Sequence, residues 1–206
     1  SAPASFEHVT RIDATAGGTF AGVDFGFSFS AVTNTRGDDA DDDTTRAGVQ
    51  QQGTLRQFLR NSNAIAGVQS SEFQIGAVGS IQTITPAGAA LPNITDAVNL
   101  NAWTQGAAGY SGPPLVVLDG NNLGATGLTL GATADGSTIR GFVVRDFNAD
   151  AIRIQAGSTG NTIAGNYIGQ LNPDGTAAVA GEGNGSGIYV LGSGNTIGGT
   201  AAADRN

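Results

Sequence analysis

Apolar and polar residues alternate in short runs along the second half of this chain, with Leu128 and Leu130, Ile152 and Ile154, and Ile188 and Val190 as the apolar members. A period of two places those side chains on one face of an extended strand, and the Gly, Ser, Asn and Asp residues that close each run mark turns. The runs repeat. Gly127-Leu128-Thr129-Leu130, Ala151-Ile152-Arg153-Ile154 and Gly187-Ile188-Tyr189-Val190 are each followed by a turn. Then come Ser137-Thr138-Ile139-Arg140-Gly141, Asn161-Thr162-Ile163-Ala164-Gly165 and Asn195-Thr196-Ile197-Gly198-Gly199. The second motif starts at 137, 161 and 195, so successive copies lie 24 and 34 residues apart.

A unit this short cannot bury an apolar face alone and must stack on its neighbour. With three strand-length runs per repeat, Gly-rich corners and no helical pattern between them, the expected fold class is all-β: a parallel β-helix, or solenoid. Each strand would pair in parallel with its equivalent one repeat on, climbing about 4.8 Å per coil. Asn161 and Asn195 are expected at corners, tolerating the left-handed conformation. The longer spacing reads as an insertion. Gln170-Leu171-Asn172-Pro173-Asp174-Gly175 through Glu182-Gly183-Asn184-Gly185-Ser186 is rich in turn residues and has no alternation, so it is expected to be a loop.

Upstream, the pattern divides the chain into 1–33, an N-terminal strand extension; 34–52, an acidic loop; and 53–206, a capping helix followed by the coils. In the first part, Val23, Phe25, Phe27 and Phe29 share one face of an alternating run that needs a partner surface. At the start of the third, Thr54 and Gln57 have capping-box spacing, and Leu55, Phe58 and Leu59 fall on one stripe. Residues 54–63 therefore read as a short amphipathic helix. Its expected task is to cover the apolar end and open strand edges of the first coil.

The run from Asn161 through Asn166-Tyr167-Ile168-Gly169, with Asn172-Pro173-Asp174-Gly175, Gly187-Ile188-Tyr189-Val190 and Asn195 to Asn206, resembles the right-handed parallel β-helix repeats of large bacterial surface and secreted proteins. So do Gly53-Thr54-Leu55-Arg56-Gln57-Phe58-Leu59, which is similar to the helix that opens such repeat regions, and the stretch from Trp103 to Pro114 with Val117-Leu118-Asp119-Gly120, which is similar to their first coils. The resemblance covers roughly 50–206. It implies a right-handed coil and a secreted or cell-surface, adhesin-like structural module.

Composition is consistent with this. Gly accounts for 33 of 206 residues, 13% are charged, and Cys and Met are absent. Without Cys there is no disulfide framework and no thiolate metal site. Without Met, Ser1 reads as a processed or excised end, and a stop at Asn206 within the third copy reads as a longer solenoid cut short or as copies joined head to tail into a filament. A net charge of -8 disfavours nucleic acid and anionic membranes, and no apolar run is long enough to span a bilayer.

Candidate chemistry is sparse. Asp38, Asp39, Asp41, Asp42 and Asp43 crowd one stretch and could supply hard oxygen ligands to Ca²⁺, although the EF-hand glycine and distant glutamate are missing; the plain reading is a solvated acidic loop. Calcium-dependent adhesion is thus one alternative function. A carbohydrate-active lyase or hydrolase is the other, and it requires paired acids on a lateral groove. Asp119, Asp135, Arg140, Arg145, Asp146, Asp150 and Arg153 are the charges available, in no ladder of acids, and His8 is the lone histidine. Trp103, Tyr110, Tyr167 and Tyr189 are candidates for stacking on a carbohydrate partner. No catalytic set is assigned.

Overall fold

In the computed structural model, residues 30–37 and 53–206 are described. In chain order they form β1 (Ala31–Val32), α1 (Leu55–Ala64), β2 (Gln69–Ser70), β3 (Glu72–Phe73), β4 (Gln82–Ile84), β5 (Val98–Asn101), β6 (Val116–Leu123), β7 (Leu128–Leu130) and β8 (Thr138–Arg140). These are followed by β9 (Phe142–Phe147), β10 (Asp150–Ile154), β11 (Thr162–Ala164), β12 (Tyr167–Ile168), β13 (Ser186–Val190) and β14 (Thr196–Ile197). Short 3-10 turns occupy Ala102–Gln105 and Ala202–Asp204.

The strands pair in parallel in three main sheets, β2-β5-β8-β11-β14, β4-β6-β9-β12 and β7-β10-β13, with β1 paired to β3. From β5 to β14 the chain visits these sheets in strict rotation. Register follows the repeats: Thr138, Thr162 and Thr196 are partners, as are Leu128, Ile152 and Ile188. The molecule is therefore β-rich, with parallel sheets and a single α-helix among the described residues. No helix there is long and apolar enough to cross a membrane.

Alternation decides which side chains face inward. Leu100, Ile139 and Ile163 stack in successive strands of one sheet, Leu128 with Ile152 and Leu130 with Ile154 in another, and Leu118 with Val144 in the third, all buried. Burying each such side chain contributes about 1.5–3 kcal/mol. Helix α1 closes onto the same core through Leu55, Phe58 and Leu59. Thr54 caps it, its hydroxyl accepting from Gln57 N at 2.9 Å. The box is only half made, since Gln57 Oε1, which would accept from Thr54 N, has no partner, while Nε2 donates to Asn61 Oδ1. Arg56 on this helix is buried, and its guanidinium donates to the carbonyls of Gly37, Ala89 and Ala90, tying the first described segment to the 89–90 turn.

Corner chemistry differs from expectation. Asn161 and Asn195 are not left-handed; that conformation belongs to the glycines before them, Gly160 and Gly194, both with φ of 68°, and to Gly136 before Ser137 in the equivalent turn, with φ of 72°. The asparagines are at the corner for their side chains. Ser137 N donates to Asn161 Oδ1 and Asn161 N donates to Asn195 Oδ1, 24 and 34 residues apart. A second ladder runs from Phe142 N to Asn166 Oδ1 and from Asn166 N to Asn206 Oδ1. Each rung satisfies a backbone N–H that the turn withdraws from the sheets.

Candidate functional site

The charged residues of β6 to β10 form two groups. In the first, Asp119 of β6 and Arg145 of β9 are register partners, and the carboxylate meets the guanidinium at 3.0 Å. The insertion adds to the same arginine. Asn172 Oδ1 accepts from Arg145 Nη1 at 3.2 Å, and Glu182 Oε2 lies 2.9 Å from that nitrogen without hydrogen-bond geometry. Asn184 anchors the returning end, accepting from Phe147 N and donating to Val144 O. The loop expected at 170–186 is thus a clamped loop, closed internally by a bridge between Leu171 and Ala177.

The backbone beneath this group is strained. Asn121, Asn122 and Asp146 have φ of 48°, 62° and 61°, and the β6 register shifts between Asp119 and Leu123. Gly120 is required there, because a Cβ would stand 2.3 Å from Asp146 O. Asp146 is buried, and its Oδ1 has no hydrogen-bond partner. Other acids have settled roles. Asp150 binds Arg153 Nε at 2.6 Å and accepts from Ser186 Oγ, while Asp135 accepts from Thr159 N at the corner.

The second group surrounds Trp103. The indole covers the glycines that follow β8 and β11: a Cβ on Gly141 would lie 2.8 Å, and one on Gly165 2.5 Å, from ring atoms. Its Nε1 donates to Gly112 O, and the Arg140 guanidinium carbon lies 5.3 Å from the indole ring centroid. Tyr110 closes the 106–112 loop, donating to Pro113 O at 2.6 Å. Partial burial, and then the neighbouring Tyr167, raise the pKa of its hydroxyl above the ordinary tyrosine value. Between them lies a cavity of ≈ 480 Å³ that also takes in Glu72, Asn101 and Thr104. Of the four aromatics read as sugar-stacking candidates, Trp103 is buried, Tyr110 and Tyr167 are half-buried near one another, and Tyr189 is 46% exposed against Arg153.

Asp38, Asp39, Asp41, Asp42 and Asp43 lie outside the described residues, as does the alternating run 23–29. Among the described residues no group of three or more His, Cys, Asp or Glu side chains is placed to hold a metal ion.

The contributions of Glu182, Asn172 and Asn184 were not expected from sequence. Their only signal is one acid and two amides in a loop of glycines and alanines. Gln105 was missed too. Its buried amide accepts from Ile75 N and donates to Ile75 O, replacing a strand partner. At the far end of the stack, the outer edges of β12, β13 and β14 have no strand partner among the described residues, and Val190, Leu191 and Ile197 are 41%, 52% and 45% exposed. No protein-family model, curated protein or solved structure matches the chain.

Proposed function

We propose that this chain is a right-handed parallel β-helix with a capping helix and an N-terminal strand extension, of the kind found in bacterial surface and secreted repeat proteins. It serves as a structural and adhesive module of an extracellular or cell-surface assembly. The rotation of consecutive strands through three parallel sheets, in register with the sequence repeats, supports the coil. Arginine pairing and corner bonds account for Asp119, Asp150 and Asp135, which fits a load-carrying stack better than a catalytic groove.

One observation carries the assembly: the outer strand edges coincide with exposed Val190, Leu191 and Ile197. Open edges and apolar cross-section together favour pairing with a further strand, supplied by more coils of a longer solenoid or by another chain, and the second is the one proposed here. The occupant is segment 23–29 of a second copy, whose alternating Val23, Phe25, Phe27 and Phe29 offer apolar side chains to the exposed outer strands. Within one copy that segment leads directly into β1, which pairs with β3 near the opposite end of the stack. The contact is therefore head to tail, and it propagates as a filament.

Light scattering across a concentration series tests this. The full chain associates as concentration rises, while Phe25→Asp with Phe27→Asp, or Val190→Asp with Ile197→Asp, holds it monomeric. A full chain that stays monomeric at the highest concentration reached overturns the filament.

A further inference from the structure

The cavity beside Trp103 carries a charge that the protein leaves unused. The Arg140 guanidinium forms no hydrogen bond or ion pair with a described residue, and its Nε is buried without a partner. The indole of Trp103 lies beside it. A guanidinium is planar, and with Nε buried its two terminal nitrogens form the fork that receives a carboxylate in two parallel hydrogen bonds.

The surrounding groups restrict the ligand further. Glu72 lines the same space, exposed, with one carboxylate oxygen already accepting from Gln74 Nε2 at 2.7 Å. This carboxylate in the cavity disfavours polyanions and favours a ligand that carries hydroxyl donors as well as a single negative charge. The half-buried Tyr110 adds an aromatic wall. The volume, ≈ 480 Å³, is far larger than an isolated carboxylate requires and lies in the range of sites for small organic molecules.

We propose that this cavity binds a carboxylated sugar, with its carboxylate on Arg140, its hydroxyls on Glu72 and Asn101, and its ring against Tyr110. The assignment deepens the adhesive part of the proposed function by naming the ligand class. It does not depend on assembly.

Trp103 is the only tryptophan in the chain, so indole fluorescence reports this site alone. The full chain is titrated with glucuronic acid, glucose and acetate. Glucuronic acid is expected to give a saturable change, with glucose and acetate each at least about tenfold weaker. Arg140→Gln should weaken glucuronic acid by about tenfold or more, with partial recovery in Arg140→Lys. Equal binding of glucose removes the role of Arg140, and acetate binding as tightly as glucuronic acid removes the sugar. Either result, or no saturable change with glucuronic acid, overturns the proposal. If Arg140→Gln fails to fold, the three-ligand comparison on the unmodified chain decides alone. Repeating the titration in the Val190→Asp, Ile197→Asp background separates the two readings, because binding persists there whether or not the full chain assembles.

Discussion

Two copies of one repeat lie side by side in this molecule and live in different surroundings. Ile163 and Ile197 are register partners with the same neighbours in sequence, Thr before and a small residue after, yet Ile163 is fully buried and Ile197 is 45% exposed. Ile154 and Val190 differ in the same way, at 0% and 41%. The strands of the inner copy are paired on both edges and those of the outer copy, among the described residues, on one. Burial in such a stack belongs to the neighbour, so the alternating pattern states only what a residue is suited to, and the next coil decides whether it is fulfilled.

The largest expected effect breaks that equivalence directly. Ile163→Ala should cost about 2–4 kcal/mol, because it opens a cavity between two coils that cannot collapse into it. The same change at Ile197 should cost less than about 1 kcal/mol, since water already reaches the site. Urea unfolding of the two variants at low concentration measures the difference. Equal losses would mean that the outer coil is covered in solution.

The corner ladder gives a second, smaller contrast. Asn161 uses both ends of its amide: Oδ1 takes Ser137 N, and Nδ2 donates to Ser158 Oγ at 2.8 Å and Asn195 Oδ1 at 2.9 Å. Asn161→Asp keeps the shape, removes the donors and buries a charge facing two oxygens, so a loss of about 1–3 kcal/mol is expected. Asn195→Asp lies in a half-exposed rung, where water can stand in for the lost donor, and should cost visibly less. Thermal unfolding of the pair checks the order.

These contrasts show what could be read from the sequence. The strands at 128–130, 152–154 and 188–190, their parallel register and the helix beginning after Thr54 were legible, because each depends on a period or a cap that local residues carry. The reason for Asn161 was not. Asparagine suits both a left-handed corner and a side-chain rung, and only the coil next to it distinguishes them. The lateral groups were equally hidden. Arg145 and Asp119 lie 26 residues apart, and Glu182 comes from an insertion whose length says nothing of where it lands. The cavity at Arg140 depends on Trp103 crossing two coils, a contact with no periodic signature.

The insertion is what separates the inner and outer copies in sequence, and Arg145 is its main tie. Arg145→Gln should leave the stack intact and cost roughly 1 kcal/mol, because its pairs with Asp119 and Glu182 are only partly screened from water. The expected signature is local. Backbone exchange should rise across 170–184 while the amides of β8 and β11 stay protected. Exchange rising equally in both regions would make the insertion part of the stack's cooperative unit.

The smallest effect is confined to the tip of that insertion. Asp174 accepts from Thr176 Oγ1 at 2.6 Å and from Thr176 N at 2.9 Å, and these bonds hold its pKa below the ordinary carboxylate value. Because the folded pKa is lowered, the turn gains its stability above the unfolded carboxylate pKa and loses it as pH falls through the folded one. The group is fully exposed, so the consequence is a local one. The Thr176 amide should exchange faster and shift its resonance as acid is added, and Asp174→Asn should abolish that titration. Strand β13 of the outer copy begins at Ser186, after this loop, and β10 of the inner copy ends at Ile154, before it. If the acid-induced change reaches the amides of β13 and spares those of β10, the loop steadies only the outer copy. A change that stops at 172–176 shows that the outer copy's exposure owes nothing to the insertion.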